Sequence, residues 1–381
     1  MNKYLELTMT HRVDIHGKKM MGWLAPLMLA LTLMVSSCSP ATEGQEGNDA
    51  WVTLTISTGG GAADGGEGMA SRASGSAADK DWQVNDLTIY IFDQTGQVIG
   101  SSYASYSINS KQDITATVKT RKAQNCTVIA LANAGTLSGT YATAQTTSPF
   151  AGVSTLSEFQ QKYITFKDMA SLESAPCLLM VGYLTGFDTT SSGSSISLQR
   201  LASRLDFTIT VNQDKVTGFP IVVDSYQLCH APRSAYYASA DMSSTGITLP
   251  SGTSFVEYAA NSTAFNSWTS GSNSQSYTAY VYANPATTAT DATYLLIKAH
   301  SQASNTDTRK IWQSEFKVYL TGITGPADYQ LLPNYHYTIG ITVQGSATEH
   351  NGVKTVYTAY PYYSSSLSAC GSNENRDLDM K

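Results

Sequence analysis

Short runs that alternate apolar and polar residues, each closed by a cluster of Gly, Ser, Asn or Asp, recur along most of this 381-residue chain. A period of two sends successive side chains to opposite faces, so each run reads as a strand with one buried face. "WVTLTIS" (51–57) places Val52, Leu54 and Ile56 on one face. "VNDLTIYIFDQTGQVIG" (84–100) reads as two strands joined at Asp93–Gly96, and "ITATVKT" (114–120) alternates again. "CTVIALANAG" (126–135) and "CLLMVGYLTG" (177–186) are continuous apolar runs, as strands in a sandwich core would be. "TLSEFQQKYITF" breaks the pattern: Thr155 and Glu158 have capping-box spacing, which predicts one helix.

From about residue 200 a second block of strands follows, beginning with "SISLQRLASRLDFTITVN" (195–212) and ending with "YHYTIGITVQG" (335–345). The predicted fold is all-β: two tandem antiparallel β-sandwich domains, 51–200 and 201–345. The polar stretch 243–276 reads as surface loops between strands. The tail 346–381 stands apart and contains one β-prone run, "VKTVYTAYPYY" (353–363). Charged residues make up 14 % of the chain, well under the usual quarter, and the net charge is −6. That balance suits an extracellular-type β protein and offers no basic field for nucleic acid.

The amino-terminal segment 1–37 reads as a targeting sequence. Lys18 and Lys19 precede the apolar run "MGWLAPLMLALTLMV" (21–35), which leads into "VSSC". Small residues before a cysteine resemble a bacterial lipobox, with Cys38 as the lipidated residue after cleavage. Residues 38–50 then serve as a tether, and several acyl chains would give a stable membrane anchor. Cys126, Cys177, Cys229 and Cys370 form no metal-binding spacing, and the sequence leaves any pairing among them open. The first strand is tied to the rest by "TGGGAADGGEGMASRASGS" (58–76). Arg72 is the only Lys or Arg between Cys38 and Lys80. A Gly-rich loop is where proteolysis is tolerated, so a basic-specific protease has one target there, with Ala73 as the new terminus.

No catalytic motif is present: there is no GxSxG, HExxH, P-loop or GxGxxG. Cys229 and His230 are adjacent on a strand and so point to opposite faces. The chain therefore reads as a non-enzyme without cofactor or metal. Tyr- and Trp-bearing polar loops (234–241 and 265–277) leave a rival reading open, a permanently anchored surface lipoprotein that binds glycan or host protein.

The lipobox at Cys38, the strand 51–57, the Arg in "SRAS", then "LTIYIFDQTGQVI", "VIALANAG", "LQRLASRLDFTIT" and "PNYHYTIGITVQG" together resemble the fimbrillin family of Bacteroidia, the subunits of type V pili. The resemblance covers roughly residues 38–345. It implies transthyretin-like sandwiches, export as a lipoprotein to the outer membrane and cell surface, and cleavage by an arginine-specific or trypsin-like protease. Cleavage removes the lipid and the first strand together, and an extended segment of another pilus subunit then fills the groove. The tail beyond Tyr363 and the insert 243–276 depart from the pattern, so shaft, tip and anchor roles all stay open. For the donor segment the candidate is 353–363, with either Val353, Tyr357 and Ala359 or Val356, Tyr360 and Tyr362 as the inward set. Asp188-Thr189-Thr190 also fits a short O-glycosylation pattern of that phylum.

Overall fold

The computed structural model describes residues 48–58, 80–140, 150–191, 193–238, 247–268, 273–320, 329–347 and 353–361. Cys38, Arg72, Ala73, Tyr362 and Cys370 lie outside the described residues. The strands of the first half are β1 Asp49–Ser57, β2 Val84–Phe92, β3 Val98–Ile108, β4 Asp113–Arg121, β5 Cys126–Ala132, β6 Tyr163–Thr165, β7 Met180–Phe187, β8 Ser194–Ser197 and β9 Gln199–Arg200. Three short helices accompany them: α1 Ala134–Thr140, α2 Leu156–Gln160 and α3 Met169–Ser174. The second half holds β10 Ala202–Val211, β11 Ile221–Cys229, β12 Ala231–Pro232, β13 Ser234–Tyr236, β14 Phe255–Val256, β15 Phe265–Asn266, β16 Ser274–Tyr282, β17 Tyr294–Gln302, β18 Lys310–Tyr319, β19 Tyr335–Val343 and β20 Val353–Pro361.

In the first half a small sheet of order β4-β1-β8 faces a five-stranded sheet of order β3-β2-β5-β7-β9. In the second half β16-β10-β19-β20 faces β15-β11-β17-β18. The fold is all-β, as the alternation requires. The continuous apolar runs now have a physical cause: the five-stranded sheet is covered on both faces. Leu87, Ile89, Ile91, Val128 and Ala130 face the small sheet, with Val52, Leu54 and Ile56 in the same cluster. Phe92, Ile129, Leu131 and Val181 face the other way. There α2 inserts Phe159, whose ring lies 5.0 Å from those of Tyr90 and Phe150. That second cluster continues without a break into the second half, through Phe207, Tyr282 and Ile339 to Ala347.

α2 begins where the capping box places it. The Thr155 side chain accepts from the Glu158 N–H, and the Glu158 carboxylate accepts from the Thr155 N–H. α1 and α3 lie outside the sequence expectation. Both are short and capped by aspartates: Asp86 of β2 accepts from the N–H groups of Gly135 and Thr136, and Asp168 from that of Ser171. The polar stretch 243–276 differs from its expected surface character, because Tyr258 and Phe265 are buried. Tyr258 is fully enclosed and its hydroxyl donates to the Tyr280 carbonyl, so this stretch helps to build the second-half core.

Candidate functional site: the slot occupied by the first strand

β1 is the middle strand of its sheet. It pairs antiparallel with β4 from Asp49↔Arg121 to Ser57↔Asp113, and parallel with β8 from Leu54↔Ser194 to Ser57↔Ser197. Val52, Leu54 and Ile56 are fully buried, while Trp51 stands 68 % exposed on the opposite face. Cross-strand neighbours on the inner face are Val118, Ala116 and Ile114 of β4 and Ile196 of β8. Burying three such side chains contributes on the order of 1.5–3 kcal/mol each. The slot is apolar: Cys126 lies in the same cluster, where burial raises its thiol pKa, and it is a free buried thiol like Cys177 and Cys229. The Lys119–Asp49 ion pair at the start of β1, 2.8 Å long, is solvent-exposed and worth little.

Each wall of the slot also touches the five-stranded sheet. At one edge, Thr120 of β4 donates its hydroxyl to the Ile99 carbonyl of β3 at 3.1 Å. Gly100 sits there because a Cβ would meet the Lys119 carbonyl oxygen and Thr120 at 2.8 Å. At the other edge, Gly182 of β7 lets β8 approach: a Cβ would come within 2.5 Å of Ile196 Cγ2 and 2.7 Å of the Ser197 carbonyl. Each wall is thus fastened to the five-stranded sheet, and β1 fills the space between them. At the usual inter-strand spacing that space is about 10 Å wide.

Both sides of the leash are pinned. Thr58, buried, donates its hydroxyl to the Gln112 carbonyl at 2.9 Å and accepts from the Gln112 N–H at 3.0 Å. After residues 59–79, Lys80 Nζ donates to the Leu172 and Glu173 carbonyls at 3.0 and 2.9 Å and lies 4.1 Å above the Tyr280 ring. The Asp81 carbonyl accepts from Arg200 Nε at 2.6 Å, its carboxylate pairs with Arg204 at 3.3 Å, and the Arg200 guanidinium covers Trp82 at 4.3 Å.

The model of the major fimbrial subunit protein (FimA) family matches residues 51–198, the span of β1 through β8. That is less than half of the chain, and over these residues the chain is similar to that family. Solved structures extend the likeness in fold to both halves. One is a candidate cell adhesion protein from Parabacteroides distasonis, with TM-score 0.56 and 17 % identity over 83 % of this chain and 98 % of that one. Another is a fimbrilin from Porphyromonas gingivalis W83, with TM-score 0.52 and 12 % identity over 83 % and 99 %. A third is the tip fimbrial protein Mfa3 from Porphyromonas gingivalis, with TM-score 0.51 and 14 % identity over 82 % and 99 %. No curated protein matches the chain in sequence.

The candidate donor segment falls on β20, which pairs antiparallel with β19 of its own chain, from Val343↔Val353 to Tyr335↔Pro361. It forms the edge of its sheet, so Val353, Val356, Tyr357 and Tyr360 are placed there. Val52, Leu54 and Ile56 lie together in another sheet. Thr189 is unsuited to the modification its sequence context suggests. It is buried, its hydroxyl accepts from the Ala123 N–H at 2.7 Å, and it donates toward the Arg121 and Ala123 carbonyls at 3.1 Å. The features that sequence reasoning missed are Gly100 and Gly182, whose only sequence signal is a glycine interrupting a strand run.

Proposed function

We propose that this chain is a structural subunit of a surface pilus at the bacterial outer membrane. It is exported as a lipoprotein through Cys38, cut after Arg72, and polymerised by donor-strand exchange to support adhesion. The observation that carries the reading is the placement of β1 as a middle strand between β4 and β8, each of which also touches the five-stranded sheet. Losing an edge strand would leave one new edge. Losing β1 leaves a lined slot with unpaired backbone on both sides, a ready template for another extended segment. A basic-specific protease would find Arg72 inside the leash, while Lys80 is held by two carbonyls and an aromatic face.

β20 is the favoured donor. As an edge strand it gives up one ladder, that with β19, when it leaves. Other copies of this chain or other pilus subunits are its partners, and host protein or glycan would be the target of the assembled fibre.

N-terminal sequencing of surface-extracted protein, with Cys38→Ala and Arg72→Ala variants, tests the pathway. The expected results are a wild-type terminus at Ala73, loss of surface display for Cys38→Ala, and a lipidated, unassembled Arg72→Ala protein. An Arg72→Ala protein that polymerises with residues 51–57 still attached would refute strand removal as the trigger.

A further inference from the structure

We propose that the uncut chain makes a second contact with the lipid surface that anchors it, through the Trp51 end of the small sheet. Cleavage after Arg72 then removes both contacts together. The proposal rests on the lipoprotein reading of Cys38. Trp51 is the most exposed aromatic side chain among the described residues. Its cross-strand neighbour Lys119 gives its ammonium to Asp49 at 2.8 Å. A strand position facing water is well served by Thr, as at Thr53 and Thr55 on the same strand. An indole, with an apolar body and one N–H donor, suits the boundary between water and lipid.

The face around it is polar without being charged. β1 presents Trp51, Thr53, Thr55 and Ser57 outward, and β4 presents Asp113, Thr115, Thr117, Lys119 and Arg121. Register sets Thr53 beside Thr117, Thr55 beside Thr115 and Ser57 beside Asp113. The cations Lys119, Arg121 and Lys122 gather at the Trp51 end, where the Lys122 N–H donates to the Asn48 carbonyl at 2.7 Å. Asp49 and Asp93 pair with the first two, and Asp188 stands close by, accepting from Gln124 at 3.4 Å. These carboxylates balance the cations, so the corner exerts little net field. The indole, rather than charge, makes the contact.

The length of chain ahead of Trp51 points to lipid as the occupant. Thirteen steps separate Cys38 from Trp51, at most roughly 45 Å of extended backbone. An acylated Cys38 therefore keeps Trp51 within that distance of the membrane. A tether this short supplies an effective concentration of about a millimolar, so a contact too weak to form from solution is populated. Trp51 also lies upstream of Arg72. It leaves on the same fragment as the lipid, and an exposed indole there serves the uncut chain alone.

Such a contact orients the molecule. The leash leaves β1 at its other end, where the Leu198 N–H donates to the Ser57 carbonyl at 2.9 Å and Thr58 is held by Gln112. Thr58 is nine residues from Asp49, roughly 30 Å along an extended strand. The leash that carries Arg72 is thus rooted away from the lipid, and a single cut there ends both the acyl anchor and the indole contact.

Residues 38–381 with Cys370→Ser test this, coupled through the Cys38 thiol to a maleimide lipid in phosphatidylcholine vesicles. Cys126, Cys177 and Cys229 are buried and stay uncoupled. Chemical coupling makes the outcome independent of acylation in the cell, which the mass of the native protein reports separately. With brominated acyl chains in the bilayer, tryptophan emission should fall by the share of one of the four tryptophans present, the five of the chain less Trp23. Trp51→Phe should abolish the fall without changing the melting temperature, and salt at about 0.5 M, where exposed charges are screened, should leave it intact. Emission that bromine does not touch, or a fall that Trp51→Phe retains, would overturn the proposal. A fall that salt abolishes would overturn it too, because charge would then hold the surface.

Discussion

Cleavage of the leash should loosen β1 without expelling it, and the size of that loosening can be worked out. While the leash is intact, the strand is held at an effective concentration of about a millimolar, as for a short flexible tether. After a cut at Arg72 the fragment competes at the bulk protein concentration. At one micromolar that is about a thousandfold weaker, or about 4 kcal/mol. The apolar contacts of Val52, Leu54 and Ile56, all fully buried, remain after the cut. The fragment should therefore stay seated until a donor displaces it. Leu54→Ala removes the central anchor, at a cost of about 2–5 kcal/mol for a Leu→Ala change in a packed core. Fragment release should then be faster by about thirtyfold to a few thousandfold. The assay uses protein lacking residues 1–38, nicked by trypsin at Arg72, with native mass spectrometry following loss of the fragment 39–72. Thr53→Ala, on the exposed face of β1, is the control and should change little. Equal release rates for Leu54→Ala and Thr53→Ala would refute the argument. So would immediate loss of the wild-type fragment on cutting, because either result means that the inner face does not hold the strand.

Gly182→Ala forces a Cβ against Ile196 and the Ser197 backbone. It should destabilise the fold by about 1–3 kcal/mol, and an unchanged melting temperature would show that β8 gives way freely. Limited trypsin should cut after Arg72 and spare Lys80, whose ammonium is engaged by Leu172, Glu173 and Tyr280; a new terminus at Asp81 by sequencing would contradict this. Burial alone would raise the Asp206 pKa, but hydrogen bonds from His336, Thr278 and Arg204 outweigh it and hold the carboxyl well below its usual range. A depressed folded-state pKa adds stability above the unfolded value of about 4 and loses it as pH falls further. The melting temperature of Asp206→Asn should therefore fall less steeply than that of wild type between about pH 4 and pH 2, and parallel curves would count against the assignment.

Local features were legible in the sequence wherever the cause is local. The alternation of Val52, Leu54 and Ile56 marks a buried face, and the Thr155–Glu158 box marks a helix start, because both act within a few residues. Sheet membership was not legible. The run 195–212 reads as the start of the second block, yet β8 joins the small sheet, β9 the large one and β10 the second half. Those switches depend on partners at Leu54, Met180 and Tyr282, far away in sequence. Burial of Tyr258 within a polar stretch and of Thr189 within a turn likewise depends on what folds over them. Gly100 and Gly182 acquire meaning only once two sheets meet at their positions.

The apolar cluster behind the five-stranded sheet has a mechanical consequence. Because it runs from Phe92 through Phe159 and Phe207 to Ala347, the two halves are joined by packed side chains, and β6–β13 pairing adds a second seam across the joint. A fibre of such subunits under tension would therefore not bend inside a subunit. Load would pass through each molecule by way of that packed core, from one half to the other.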